Sequence, residues 1–136
     1  MKKPPLVIKN LKEILDLNRL NDLGVEEIAR GNYQNAINIF LSILRKHPSF
    51  MLAYYNLGNL YLSLEMFNEA LYYFKEGIKI DDQHAKSFLG IGLVLSQMGK
   101  ITEAIPYYKK AYQLDPSLKK ISLPKELFSR TGSDRE

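Results

Sequence analysis

The sequence has no cysteine, no tryptophan and only two histidines in 136 residues. Without cysteine there can be no disulfide framework and no thiolate zinc site, which fits a reducing compartment. His47 and His84 stand 37 residues apart, and no carboxylate lies near them at the spacing of a zinc-binding helix. Both are read as surface histidines. The glycines are not clustered into a phosphate-cradling loop, and no recognisable Ser-His-Asp motif occurs. The basic N-terminus holds only three consecutive apolar residues, Leu6-Val7-Ile8, whereas a secretory signal needs roughly 7–15. No run approaches the roughly 20 apolar residues of a membrane span. The expectation is a non-enzyme without metal or cofactor and without a membrane span. It is expected in the cytoplasm or in the soluble interior of an organelle.

Charge of one sign is scarce where it would matter for nucleic acid. The net charge is +4. Residues 1–16 carry four basic against two acidic side chains, and residues 117–136 carry five against three. Residues 17–116 balance at ten of each. A nucleic-acid binder concentrates Lys and Arg on its folded surface. A neutral body with mildly basic flanks reads instead as a neutral domain with solvated tails, and nucleic acid is not expected as a partner.

What the chain does have is a period. Residues 17–50, 51–84 and 85–118 align without a gap as three units of 34 residues. The seventh place is Leu23, Leu57 and Ile91, and the eighth is Gly24, Gly58 and Gly92. The twentieth is Ala36, Ala70 and Ala104, and the twenty-fourth is Phe40, Phe74 and Tyr108. A fixed period in this range signals stacked supersecondary units and favours binding over catalysis.

Each unit reads as two helices. In the second, Tyr54, Leu57, Gly58 and Tyr61 recur at helical spacing over 51–64, Glu65-Met66 is a turn, and 67–80 carries Ala70, Leu71, Phe74 and Ile78 on one face. Pro48 and Pro116 mark stops, and Gly31 and Gly99 suit a left-handed residue closing the first helix. Glycine inside a helix costs about 1 kcal/mol relative to alanine. Three such glycines in phase predict the close approach of a neighbouring backbone. Pro106 removes one backbone hydrogen bond and is expected to bend its helix. Asn10 to Glu13 resembles a capping box opening a helix with Leu11, Ile14 and Leu15 on one face. Whether that helix runs on through residues 11–30 is left open. At the far end the face of Ile105, Tyr108 and Tyr112 needs cover, which a turn with Leu127 and Phe128 could provide; residues 131–136 read as a disordered tail.

These residues carry a resemblance. A 34-residue helix–turn–helix with small residues at the eighth and twentieth places resembles the tetratricopeptide repeat. Tyr33, Phe40, Tyr54, Tyr61, Phe67, Phe74, Phe88 and Tyr108 occupy its aromatic places, and Pro48 and Pro116 its terminal proline. Glu27 and Asp82 depart from the pattern. The resemblance covers 102 of 136 residues. It implies an all-α, right-handed superhelical solenoid of three repeats, with an N-terminal segment and capping helix (1–16) and a short cap and tail (119–136).

The resemblance further implies that the first helix of each unit lines a concave wall, through its second, fifth, sixth, ninth, twelfth and thirteenth places. From these come the candidate groove residues Asn21, Val25, Leu52, Tyr55, Asn56, Asn59, Lys86, Leu89 and Leu93. Asparagine both donates and accepts, suiting an extended peptide backbone, while Leu and Tyr seat apolar side chains. The expected function is therefore an adaptor, scaffold or assembly factor, whose partner is a protein or peptide with hydrophobic anchors. Chaperone-docking members of the family hold a C-terminal carboxylate with two lysines, two asparagines and an arginine. The corresponding places here are Asn21, Val25, Asn56, Lys86 and Gly90, and only Asn56 and Lys86 keep the required type. Val25 offers no hydrogen bond and Gly90 no guanidinium, so chaperone-tail binding is not expected. The alternative is a self-assembling module, a homo-oligomer pairing through its C-terminal face. Tyr73 and Tyr107 recur one period apart and are expected on or near the outer wall.

Overall fold

A computed structural model describes residues 11–120, and among these there are helices and no strand. The elements are α1 (Leu11–Ala29), α2 (Tyr33–Lys46), α3 (Met51–Ser63), α4 (Phe67–Ile80), α5 (Ala85–Gln97), α6 (Ile101–Leu114) and a 3-10 turn (Pro116–Lys120). The pairs α1–α2, α3–α4 and α5–α6 pack as hairpins. Consecutive hairpins meet through α2–α3 and α4–α5, and α1, α3 and α5 touch in sequence as one layer. Residues 11–29 form one helix, which settles the alternative left open. Asn10, Leu127, Phe128 and residues 131–136 lie outside the described residues.

The hairpin turns repeat one geometry. Gly31, Glu65 and Gly99 take φ of 82°, 58° and 80°. In each turn the next backbone N–H donates five residues back: Asn32 to Glu27, Met66 to Tyr61 and Lys100 to Leu95, all at 2.8 Å. This is the left-handed closure that satisfies helix-terminal carbonyls, and glycine adopts it without steric cost. Glu65 adopts the same conformation with a side chain attached.

Two apolar clusters make up the core. One joins Leu17, Ala36, Ile37, Phe40, Ile43, Ala53, Leu57 and Leu60 across α1, α2 and α3. The other joins α4, α5, α6 and the 3-10 turn through Phe74, Leu89, Ile91, Val94, Leu95, Tyr108 and Leu118, among others. Half-buried Tyr61 packs against both clusters.

The in-phase glycines face aromatic rings, and the expected backbone neighbour is thereby corrected. A Cβ on Gly24 would stand 2.6 Å from the Phe40 ring, one on Gly58 2.6 Å from Phe74, and one on Gly92 3.0 Å from Tyr108. Each eighth place is hollow because the twenty-fourth side chain of the same unit fills it. Gly90 does likewise across units: its Cβ would meet Phe74 Cζ at 2.5 Å. The Phe74 ring is lodged between Gly58 and Gly90.

The ends differ from one another. Leu118 is buried in the second cluster and gives the C-terminal face a cover the sequence reading placed farther along. Its turn is held by Asp115, whose Oδ1 accepts from the Ser117 N–H at 3.0 Å and hydroxyl at 2.6 Å. At the other end Leu23 is 39% exposed, although its counterparts Leu57 and Ile91 are fully buried. Pro106 sits within α6, which continues unbroken from Ile101 to Leu114.

Candidate functional site

The nine residues expected from the sequence to line a wall all lie on α1, α3 and α5. Val25 is 45% and Leu52 41% exposed, and Asn59 and Lys86 are also exposed. Four apolar or polar side chains thus reach solvent from three neighbouring helices. Tyr55, Asn56 and Leu93 are half-buried. Asn21 is buried, and Leu89, 6% exposed, belongs to the core cluster. The last two are interior positions rather than exposed ones.

Asn21 and Asn56 meet across the first two units. The Asn56 amide Nδ2 donates to Asn21 Oδ1 at 2.8 Å, linking α1 to α3. A buried amide needs such a partner, since an unpaired one costs about 1–3 kcal/mol. This bond uses one donor of Asn56 and one acceptor site of Asn21; each side chain keeps further capacity.

Tyr55 is held in place by two rings. Its centroid lies 6.1 Å from Phe74 and 4.8 Å from His84, the latter edge-on. His84 is the N-cap of α5: its Nδ1 accepts from the Ser87 N–H at 3.2 Å and lies 2.7 Å from the Ser87 hydroxyl. Ser87 is fully buried. Burial pushes the His84 ring below its ordinary value of 6.5; Asp81 opposes that shift and Lys86 adds to it. Sequence reasoning placed His84 on the surface, but it is half-buried. Its position one place before a helix, three before a serine, was the available signal. The other histidine, His47, has Nε2 3.3 Å from Glu13 Oε1 and ties α2 to α1.

On the other layer, Tyr73 is half-buried, stacked on Tyr61 at 5.5 Å and edge-on to Tyr72 at 5.0 Å. Tyr72 is 58% exposed. Tyr107 is half-buried beside Phe88, and Tyr108 is core, its hydroxyl 2.9 Å from that of Ser96. Burial raises the pKa of Tyr54, Tyr61, Tyr73, Tyr108 and Tyr112 above 10. Among the described residues no group of three or more His, Asp or Glu could hold a metal ion. No described helix is long and apolar enough to cross a membrane.

Comparison with known proteins agrees with this geometry. The tetratricopeptide repeat family profile matches residues 52–84 and 85–118. The TPR repeat-containing protein MJ0263 of Methanocaldococcus jannaschii is 30% identical over 96 residues, which are 67% of this chain and 30% of that protein. Among solved structures, MamA (41-end) from Desulfovibrio magneticus RS-1 superposes with a TM-score of 0.66 at 24% identity, covering 74% of this chain and 56% of that one. The first TPR of Spaghetti (RPAP3), bound to an HSP90 peptide SRMEEVD, superposes with a TM-score of 0.70 at 20% identity, covering 74% and 79%. These two likenesses concern the fold. The chain spans less than a third of the length of the curated relatives it matches.

Proposed function

Because this chain belongs to the tetratricopeptide repeat proteins, we propose that it is a protein-interaction module holding a partner segment along α1, α3 and α5. The fold is that of protein–protein interaction modules. The finer reading is an adaptor, scaffold or assembly factor with a groove for an extended polypeptide. One observation supports it above the others: apolar Val25 and Leu52 stand exposed on a wall that also exposes Asn59 and Lys86. Exposed apolar side chains seat hydrophobic anchors, and amides can pair with a peptide backbone. Asn21, Asn56 and Leu89 form the support, and Tyr55 and Leu93 its half-buried flank. We place this activity in the cytoplasm or an organelle interior, in keeping with the cysteine-free composition.

The partner is not a chaperone tail in this reading. Val25 offers no polar group, and the Phe74 ring packs on Gly90 where a guanidinium would be needed. The peptide SRMEEVD therefore serves as a negative control. The test is selection of wall-binding peptides from a display library, followed by titration against Leu52→Ala/Tyr55→Ala. Two truncated contacts of about 1 kcal/mol each predict a loss of at least tenfold in affinity. Equal affinity of the variant, with an unchanged melting curve, would refute the groove.

A further inference from the structure

We propose that His84 is a proton-released latch: protonation of its ring loosens the first turn of α5, and with it the wall between α3 and α5, in mildly acid solution. The geometry carries this. Nδ1 faces both the N–H and the hydroxyl of Ser87, at 3.2 and 2.7 Å. To accept from that N–H, Nδ1 must be unprotonated, so the ring is neutral with its proton on Nε2. A second proton would set one N–H against another and leave the Ser87 N–H, now shared with the ring, only its bond to the His84 carbonyl at 3.1 Å. The ring could still donate to Ser87 Oγ, but the hydroxyl hydrogen would then lose its acceptor at a fully buried residue. The charge would also sit at the N-terminal end of α5, where the helix dipole is unfavourable to cations.

From α3 comes Tyr55, uncharged in acid and edge-on to the ring. From the α4–α5 junction comes Asp81, which favours the charged ring, and from α5 comes Lys86, which disfavours it. Asp115, after α6, lines the same depression. Burial is the largest influence and keeps the ring below 6.5. A histidine depressed in the folded state contributes stability that is complete above pH 6.5 and is lost as pH falls through its folded value. The release of α5 stands by itself; its effect on a held partner rests on the groove reading above.

The test uses the full chain without a partner, so that failure of the groove reading cannot mask the result. Proton NMR follows both histidine rings, the Ser87 amide and the Tyr55 ring between pH 8 and pH 4, a range bracketing the ordinary histidine value of about 6.5. His84 should titrate below 6.5, with Ser87 and Tyr55 shifting at the same midpoint. The exchange protection of the Ser87 amide should fall across that same midpoint. His84→Asn keeps a capping oxygen but takes no proton, and should remove the step in protection. A ring titrating at or above 6.5, or Ser87 and Tyr55 signals that ignore it, would overturn the latch. Those two outcomes are read on the wild-type chain and decide the matter even if the variant fails to fold.

Discussion

Phe74 has a glycine on each side, and neither tolerates a methyl group without displacing the ring. Ordinarily Gly→Ala within a helix stabilises by about 1 kcal/mol. At Gly58 the added carbon would lie 2.6 Å from Phe74 Cδ1, and overpacking of that kind costs about 1–3 kcal/mol. Gly58→Ala is therefore expected to lower stability by about 1 kcal/mol net, measured by thermal melting, where an increase would refute the account. The sequence showed that something approaches closely at the eighth place, because three glycines share one phase. It did not show what approaches, since periodicity locates a hollow without naming its occupant. Gly90 was harder still: the first two units have Asp22 and Asn56 at its place, so no repeat signal pointed to it.

At the level of elements, the α3–α4 turn departs from its two counterparts. Glu65 takes the left-handed conformation that Gly31 and Gly99 adopt, and a side chain there costs about 1–2 kcal/mol. Glu65→Gly should raise stability by about 0.5–1 kcal/mol, since glycine's greater freedom in the unfolded chain offsets part of the relief. A denaturation midpoint unchanged or lowered by this substitution would contradict the argument. The two helices of the second unit were legible to within a residue at their ends, because apolar phase there is clear, whereas the extent of α1 was not. Nor was the cap on the C-terminal face. Leu118 falls in a five-residue turn too short for a period to show, and its burial depends on α6 standing beside it. The candidate wall was legible in which residues occupy its helices but not in their depth. Asn21 and Leu89 share the helical phase of wall residues, yet only the packing of α1 and α5 shows that they are buried.

Across the whole molecule, phenols are spread through α3, α4 and α6 and pack the two helices of a hairpin together. Tyr54, Tyr61, Tyr73, Tyr108 and Tyr112 all hold their protons more tightly than free tyrosine, chiefly through burial. A group raised in the folded state stabilises fully below the unfolded value, near 10 for tyrosine, and loses that contribution as pH rises through the folded value. Stability should therefore decline from about pH 10 upward, in step with phenolate absorbance, which the absence of tryptophan leaves easy to follow. Melting curves unchanged across that range would show that these rings ionise without constraint.

The lodging of Phe74 sets more than a local fit. Its ring touches Gly58 on α3 and Gly90 on α5, so its thickness acts as a spacer between consecutive hairpins. A narrower side chain there would let α3 and α5 draw together and would change the spacing between the second and third units.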